Sequence, residues 1–246
     1  MNDMKANLQT MWHRTDGDNS VRQRLHEVLR QAIIRMVVAP GQALSEKEIA
    51  DLFAVSRQPV REAFIRLSES GLVEVRPQRG TYVVRISRQA VLEARFIRES
   101  LEVAIALEAT KCPLPPAVLM ELKELIARQR SCVERQDHDR FFALDELFHR
   151  TLAISTGQAM AWNVIENVKA QLDRVRYLSI PESTPITKLA DQHQAIVDAI
   201  VAADAKAATE AMSLHQREIL HSLPELERRF PEMFDEPVLV RPQLYG

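Results

Sequence analysis

Residues 40–73 read PGQALSEKEIADLFAVSRQPVREAFIRLSESGLV, and this stretch decides the fold of the N-terminal part of the chain. Ser45 can cap a helix that runs to about Phe53, because its hydroxyl accepts a backbone N–H while the glutamate three residues later reaches back. A second helix begins at Ser56 and ends near Gly71, with a proline tolerated in its first turn. Since only two residues separate these helices, the stretch predicts a helix-turn-helix.

The flanking sequence completes a winged form of this motif. Apolar residues recur at helical spacing over residues 21–38, which predicts a preceding helix. The β-rich runs 72–75 and 82–84 surround a turn-forming tetrapeptide at 77–80, which predicts a hairpin. Three helices followed by a hairpin are the plan of a winged helix-turn-helix, here spanning residues 21–85.

The net charge of −2 hides an uneven distribution of charge along the chain. Residues 21–85 carry 11 basic and 7 acidic side chains, whereas residues 86–246 carry a net −5. This asymmetry indicates a nucleic-acid-facing module joined to a different domain. Residues 1–20 are polar and aperiodic, and we expect them to form a flexible arm.

Several broad classes of protein are excluded at this stage. The N-terminus lacks the pattern of a signal peptide and no apolar run is long enough to span a membrane, so we expect a cytoplasmic protein. Cys112 and Cys132 are isolated, which favours reduced thiols over a disulfide or a Cys-x-x-Cys site.

The second helix of the motif carries the residues expected to contact DNA bases. On a helical wheel its apolar residues fall in one arc, and Arg57, Gln58 and Arg61 share the opposite side. Arginine suits a bidentate contact to guanine and glutamine one to adenine. The alternative is that these residues are ordinary solvated charges on an exposed face. The residues suited to phosphate contacts are Lys47, Arg66, Arg76 and Arg79, and Gly80 would let the hairpin tip approach a groove.

The stretch 40–73 resembles the N-terminal signature of GntR-type bacterial transcription regulators. The shared pattern is P-G-x-x-L-S-E-x-x-I-A-x-x-x-x-V-S-R-x-P-V-R-E-A-x-x-x-L-x-x-x-G-L-V. The resemblance implies DNA-contacting positions at Ser56, Arg57, Gln58 and Arg61 in the recognition helix and at Arg79 and Gly80 in the wing. One departure is Gln58, where members often carry a small hydroxyl residue.

The remainder of the chain has the periodicity of an all-helical domain over residues 88–230. Six helices are predicted, at 88–111, 116–134, 138–155, 158–178, 186–202 and 205–230. The tail at 231–246 contains three prolines and is predicted to be irregular. The fold class is therefore mainly α, a winged helix-turn-helix followed by a six-helix bundle.

Three of these helices each carry ionisable residues at the centre of an apolar stripe. The inward residues are Asp145 and His149 on one helix, His193 on the next but one, and His215 on the last. Because buried charges are costly unless paired or metal-bound, these residues predict a site for a divalent ion such as Zn, Ni or Mn. The alternative for any single histidine is a core imidazole bonded to a backbone carbonyl.

Two arginines could complete such a site. Arg98 lies among apolar residues on the first helix of the domain and could clamp a carboxylate bidentately while the metal takes other oxygens of the same molecule. A structural pair with Glu102, four residues later, is the alternative. Arg176 could be a further lining residue.

This part of the chain resembles the FCD ligand-binding domain of the FadR subfamily. The resemblance rests on R-x-S-L-E at 98–102, D-x-x-F-H at 145–149, D-R-V-R at 173–176, H-x-x-I-x-x-A-I at 193–200 and M-x-x-H at 212–215. It implies a helical bundle that dimerises, holds a divalent metal through the Asp and His positions, and binds small carboxylates.

The leading hypothesis is a ligand-responsive transcription regulator. Repression is the more common mode of such regulators, so a repressor is expected. As a homodimer it would read a palindromic operator in double-stranded DNA and respond to a small organic acid. One alternative is a metalloenzyme that uses the Asp/His site for hydrolysis or oxygenation, although no H-E-x-x-H motif is present. A purely structural dimerisation domain is a further alternative, and it leaves the inward polar residues unexplained.

Overall fold

The computed structural model describes residues 2–15 and 20–235 of the chain. Over these residues the chain is mainly helical, as its low glycine content, six residues in 246, predicts. Two compact units are present. The first comprises the described residues up to Val91 and from Glu227 onward, and the second spans Leu92–Leu226.

The first unit contains the predicted winged helix-turn-helix. Its elements are α1 (Asn2–Arg14), α2 (Val21–Ile34), β1 (Ala43–Leu44), α3 (Glu46–Phe53), α4 (Arg57–Glu69), β2 (Val73–Arg76) and β3 (Gly80–Val83). The strands form an antiparallel sheet in the order β1-β3-β2, with Val73 opposite Val83 and Arg76 opposite Gly80. The predicted hairpin is confirmed, and β1 adds a third strand that the sequence pattern did not indicate.

Local chemistry explains the boundaries of the helix-turn-helix. The Ser45 hydroxyl accepts a hydrogen bond from the backbone N–H of Glu48 at 3.4 Å, which caps α3. The chain leaves α3 through Ala54, whose φ of 53° is left-handed. α4 then buries Val60 and Phe64, with neighbouring apolar residues, on one face.

The prediction of a flexible arm at residues 1–20 is wrong for the described part of that segment. Residues 2–14 form α1, which buries Leu8 completely and stacks Trp12 on Phe53. The physical reason is an apolar repeat at Met4, Leu8, Met11 and Trp12, which has the spacing of one helix face. Residues 16–19 lie outside the described residues.

The C-terminal tail, predicted to be irregular, has regular structure in its first residues. A single 3-10 turn spans Pro231–Met233, and Phe234 then pairs with Ile86 in a one-residue parallel bridge. Both residues of this bridge are buried, so the beginning of the tail completes the first unit. Residues 236–246 lie outside the described residues.

The second unit is helical, as predicted, but its described residues form eight helices instead of the six expected. They are α5 (Arg88–Lys111), α6 (Pro116–Arg135), α7 (His138–Ser155), α8 (Ala159–Val168), α9 (Ala170–Glu182), α10 (Ile186–Val201), α11 (Ala205–Arg217) and α12 (Ile219–Arg229). The predicted helix 158–178 is divided at Lys169, where ψ of 0° interrupts the α-helix. The predicted helix 205–230 is divided at Glu218.

Pairwise packing of four helices positions the site of the second unit. α6 packs against α7 and α10, and α10 packs against α11. The facing surfaces are apolar except for a few buried polar residues. No helix within the described residues has the length and apolar character needed to cross a membrane.

Candidate functional site

The residues expected to contact DNA bases lie at the leading end of α4. Ser56 precedes the helix in an extended conformation and its side chain makes no capping hydrogen bond. Arg57, Gln58 and Arg61 are exposed, whereas the apolar residues of α4 are buried on its other face. The structure therefore presents Arg57, Gln58 and Arg61 to solvent on the first turns of the helix, as the wheel predicted, and it also exposes Ser56.

Two of these side chains are held by neighbouring carboxylates. Arg61 donates to both oxygens of Glu46 at 3.0 Å, and Gln58 donates to Glu62 at 3.1 Å. The Arg61 hydrogen bond lowers the pKa of Glu46. Arg57 makes no hydrogen bond or ion pair with other described residues, so its guanidinium is free to approach a base edge or a phosphate.

The wing borders the same region as the start of α3. An open groove of about 580 Å³ is lined by Glu46 from α3 and by Arg79 and Gly80 from the wing. Gly80 has a left-handed φ of 102°, and a Cβ there would meet no atom within 4 Å, so backbone conformation is what favours glycine. Lys47, next to Glu46, is exposed. The structure thus brings the basic wing tip near the helix that carries Lys47.

In the second unit the four predicted metal ligands converge. Asp145 and His149 come from α7, His193 from α10 and His215 from α11, and all four are buried. One ligand atom from each lies within 4.8 Å of every other. The Nε2 atom of His215 is 3.1 Å from that of His149 and 3.3 Å from that of His193. The four side chains therefore surround one point.

Two buried glutamines fix which nitrogen faces that point in two of the three imidazoles. Gln129 donates to the carbonyl of Leu144 at 3.2 Å, so its oxygen faces His193 Nδ1 at 2.8 Å. Gln192 donates to Glu218 at 3.0 Å, so its oxygen faces His215 Nδ1 at 3.0 Å. An oxygen acceptor requires Nδ1 to carry the proton, and the Nε2 lone pairs then point inward.

The donor set fits a divalent metal ion. Inward lone pairs on nitrogens 3.1–3.3 Å apart repel one another unless a cation lies between them. Zn–N bonds of about 2.0–2.1 Å place neighbouring ligand nitrogens about 2.9–3.4 Å apart in octahedral or tetrahedral geometry. The third imidazole follows the same pattern, because the Nδ1 atom of His149 contacts the carboxylate of Glu102.

Burial keeps the imidazoles of His193 and His215 neutral, which is the form that binds metals. Burial lowers the pKa of His193 to about 3, despite the nearby carboxylate of Asp145. Burial also lowers the pKa of His215 well below its ordinary value, and the adjacent His193 and His149 add to the effect. At neutral pH, therefore, a proton does not compete with a metal ion for the ring nitrogens of these two histidines.

The carboxylate of Asp145 is shared between the histidines and a guanidinium. Its Oδ1 atom is 3.5 Å from His193 Nε2, and its Oδ2 atom accepts a hydrogen bond from Arg176. Burial alone raises the pKa of Asp145, but the positive charge of Arg176 is the largest of the opposing effects and the pKa lies below its usual value. Arg176 also contacts Glu146 at 2.7 Å and Asp173 at 3.2 Å.

Arg98 forms the structural pair with Glu102 and also retains an unused donor. Its Nε atom donates to Glu102, both side chains are fully buried, and its Nη2 atom makes no hydrogen bond to a described residue. Burial alone raises the pKa of Glu102, but Arg98 and His149 lower it to about 2. Glu102 also accepts a hydrogen bond from Gln216 at 3.0 Å. One carboxylate therefore joins the arginine to a histidine of the candidate metal site.

A cavity adjoins these groups. Its volume is about 40 Å³, which is room for a few water molecules or a small ligand. Its lining includes Arg98, Arg176, Asp145 and His215, together with apolar residues such as Leu172. The cavity therefore combines two cationic side chains with two of the candidate metal ligands.

Several residues of this site were missed by sequence reasoning. Glu146 was not singled out, although it follows Asp145 in the chain and contacts both Lys169 and Arg176. Gln129 and Gln192 were not singled out, although each is a buried amide within the apolar face of its helix. That pattern, a polar residue inside an apolar stripe, was the signal that could have found them.

Comparisons with known proteins agree with both units. A family model described as "Bacterial regulatory proteins, gntR family" matches residues 21–83, and one described as "FCD domain" matches residues 93–218. The HTH-type transcriptional repressor RspR of Escherichia coli (strain K12) is 41% identical over 216 residues, which cover 88% of this chain and 94% of that protein. The gluconate operon transcriptional repressor of Bacillus subtilis (strain 168) is 27% identical and covers 76% of this chain and 78% of its own.

A solved structure supports the fold. E. coli McbR/YncC superposes with a TM-score of 0.73 at 20% identity, covering 86% of this chain and 99% of that one. The relatives are transcriptional regulators, not enzymes, so the alternative of a metalloenzyme is wrong. The chain belongs to the GntR family of bacterial transcription regulators and carries an FCD domain after its DNA-binding helix-turn-helix.

Proposed function

We propose that this protein is a repressor of the FadR subfamily that acts as a homodimer, reads a palindromic operator, and responds to a small carboxylate bound beside a divalent metal ion. The observation that carries this proposal is the convergence of four buried ligand atoms, with imidazole nitrogens oriented by buried acceptors. The name of the 41% identical relative, a transcriptional repressor, supports repression.

Operator recognition is assigned to the exposed residues of the first unit. Arg57, Gln58 and Arg61 would contact base edges, because they project from the leading end of α4. The proposed partners of the phosphates and groove walls are Lys47, Ser56, Arg79 and Gly80. A second copy related by a two-fold axis would read the other half of a palindrome.

The metal ion would be held by Asp145, His149, His193 and His215. These ligands suit Zn, Ni or Mn, and a bound cation supplies positive charge toward the oxygens of an anionic ligand. Burial of all four residues and the fixed Nδ1 partners orient the ligand atoms before an ion arrives.

The effector is assigned as a small carboxylate. The unused Nη2 donor of Arg98 is buried, and a buried donor without a partner costs free energy that a ligand oxygen would recover. Arg176 lines the same cavity and is held by carboxylates, so it adds a second cationic group. The small size of the cavity favours a short organic acid over a long acyl chain.

Glu102 supplies a physical link between effector and metal. It contacts Arg98 through one oxygen and His149 and Gln216 through the other. A ligand carboxylate that binds Arg98 would compete with Glu102 for the hydrogen-bond donors of this arginine. It would thereby change the contact between Glu102 and His149. An effector that binds two states of the dimer unequally would then shift operator affinity.

A thermal-shift experiment with the full chain tests the metal and the effector separately. Chelator-treated protein is titrated with Zn²⁺, Ni²⁺ or Mn²⁺, and then each metal-loaded form with a panel of short mono-, hydroxy- and dicarboxylic acids. Binding at 100 times Kd stabilises the folded state by about 2.7 kcal/mol. We expect His193→Ala to abolish the metal shift and His221→Ala, which replaces an exposed histidine, to leave it unchanged.

The acid arm uses a second matched pair. Arg98→Lys removes the Nη2 donor but keeps the charge, and we expect it to abolish the acid shift without abolishing the metal shift. Arg128→Lys, on the exposed face of α6, is its control. A wild-type protein stabilised by no metal would refute the metal centre, and stabilisation by metal but by no acid would refute the effector class.

A further inference from the structure

The helix α1 precedes the residues matched by the DNA-binding family model, which begin at 21, yet it is built into the first unit. Its inward face buries Leu8 completely and partly buries Met4, Met11 and Trp12. Packing of this kind fixes the position of a helix, because each buried apolar side chain contributes free energy only in one arrangement.

One end of α1 is anchored to the helix-turn-helix. The ring of Trp12 stacks on Phe53 with centroids 4.8 Å apart and planes inclined by 30°. Phe53 is the last residue of α3, immediately before the left-handed Ala54 that leads toward α4. On α2, Arg24 places its guanidinium 3.8 Å from the Trp12 ring centroid and donates to the carbonyl of Trp12. Trp12 therefore connects α2 with the turn before the recognition helix.

The other end of α1 reaches the base of the wing. The side-chain amide of Gln42 lies 2.7 Å from the sulfur of Met4. Gln42 is the residue before β1, and its backbone carbonyl accepts a hydrogen bond from Val83 at the end of β3 at 2.9 Å. Its side-chain oxygen accepts from the backbone N–H of Ala39 at 3.1 Å. Met4 thus contacts one of the residues that hydrogen-bond to the wing at the end of β3.

We infer that α1 is a brace that sets the position of the recognition helix relative to the wing, with Trp12 as its principal positioning residue. α4 and the wing tip must reach DNA together, and two elements held in the binding geometry lose less conformational freedom on association than two that move independently. The side chain of Trp12 acts through Phe53 and Arg24, and the inference assigns it no contact with DNA.

A DNA-binding experiment on the full chain separates this role from two others. The probe is a duplex selected from a random-sequence library by the wild-type protein, with a scrambled duplex as the non-specific control. Trp12→Ala is compared with Trp12→Phe, which keeps an aromatic ring, and with Gln9→Ala on the exposed face of α1. All measurements are made well below the thermal midpoint of each variant, with helix content checked by circular dichroism.

We expect Trp12→Ala to weaken binding to the selected duplex by about tenfold or more, equivalent to about 1.4 kcal/mol, while binding to the scrambled duplex is unchanged. Trp12→Phe should restore most of the affinity, and Gln9→Ala should behave as the wild type. The dependence of log K on log salt should also be unchanged, because no phosphate contact is removed.

Two results would overturn the inference. A folded Trp12→Ala variant with wild-type affinity for the selected duplex would mean that α1 contributes stability only. A shallower salt dependence would mean that α1 carries phosphate contacts of its own, for example through Lys5 or Arg14. If Trp12→Ala does not fold, Met4→Ala tests the wing end of the brace by the same measurements, because Met4 is only partly buried.

Discussion

Each of the two units contains an arginine–glutamate pair, and the two pairs lie in opposite environments. In the first unit the pair between Arg61 and Glu46 is exposed, with 59% and 31% of the two side chains accessible. In the second unit the pair between Arg98 and Glu102 is buried, with 1% and 3% accessible. Both are arginine–glutamate pairs, so the comparison isolates the effect of the surroundings.

The difference explains what each unit can do. An exposed ion pair contributes little to stability and exchanges partners readily, so Arg61 can leave Glu46 for DNA. A buried charge without a partner is strongly destabilising, so the groups around Arg98 and Arg176 must keep partners or acquire a ligand. The first unit is thus suited to adapt to a large polyanion, and the second to respond to one small ligand.

The largest effect is expected from breaking a buried network. Arg176 contacts Asp145, Glu146 and Asp173, and Arg176→Leu would leave two buried carboxylates and the partly buried Glu146 with one fewer cation. We expect the free energy of unfolding to fall by about 3–5 kcal/mol, measured by urea denaturation with a chelator present. Arg61→Leu should leave the urea midpoint unchanged. Equal shifts in the two variants would contradict the proposed distinction between the units.

The next effect concerns operator discrimination. Arg57→Ala removes an exposed guanidinium that makes no hydrogen bond or ion pair with other described residues, so folding should be unaffected. We expect the preference for a selected operator over a scrambled duplex to fall by about 1–3 kcal/mol. Competition gel shifts measure this preference. If Arg57→Ala weakens binding to both duplexes equally, Arg57 contacts phosphates rather than bases.

A smaller effect is expected when an uncharged residue that contacts one of the candidate metal ligands is replaced. Gln129→Leu removes the acceptor of His193 Nδ1 but leaves all four candidate ligands in place. Loss of such a partner typically lowers metal affinity about 10–100-fold. Isothermal titration of chelator-treated protein with Zn²⁺ measures this affinity, and Gln194→Leu, on α10 beside His193, is the control. An unchanged affinity would show that Gln129 does not orient His193.

The main features of both units could be predicted from local sequence patterns. The helix-turn-helix follows from caps and a short turn, and the four clustered residues follow from polar positions at the centres of apolar stripes. Asp145 and His193 were found in this way because a helix face is a property of sequence spacing alone. The pairing of Arg98 with Glu102 was open in the sequence, and the structure contains both the pair and the unused Nη2 donor.

Other features depend on tertiary contacts or were concealed by composition. The interruption at Lys169 accompanies a buried contact with Glu146 and Asp173, which no local pattern encodes. The helix α1 had a recognisable apolar repeat, but its many polar residues gave the segment the composition of a loose arm. What fixes α1 is the stack of Trp12 on Phe53, a contact between residues distant in sequence.

The smallest effect is expected on the pH dependence of stability, when Glu46 of the exposed pair with Arg61 is replaced. Arg61 lowers the pKa of Glu46 from the ordinary value of 4.5, so the stabilising contribution of the pair is present above that value and is lost as pH falls through the lowered pKa. Glu46→Gln should therefore flatten the acid limb of the stability curve only slightly and leave stability at pH 7 nearly unchanged, because solvent screens an exposed pair. Urea midpoints between pH 3 and pH 7 measure this. A large loss of stability at pH 7 would mean that Glu46 supports the helix-turn-helix itself, and that the first unit depends on its ion pairs as the second does.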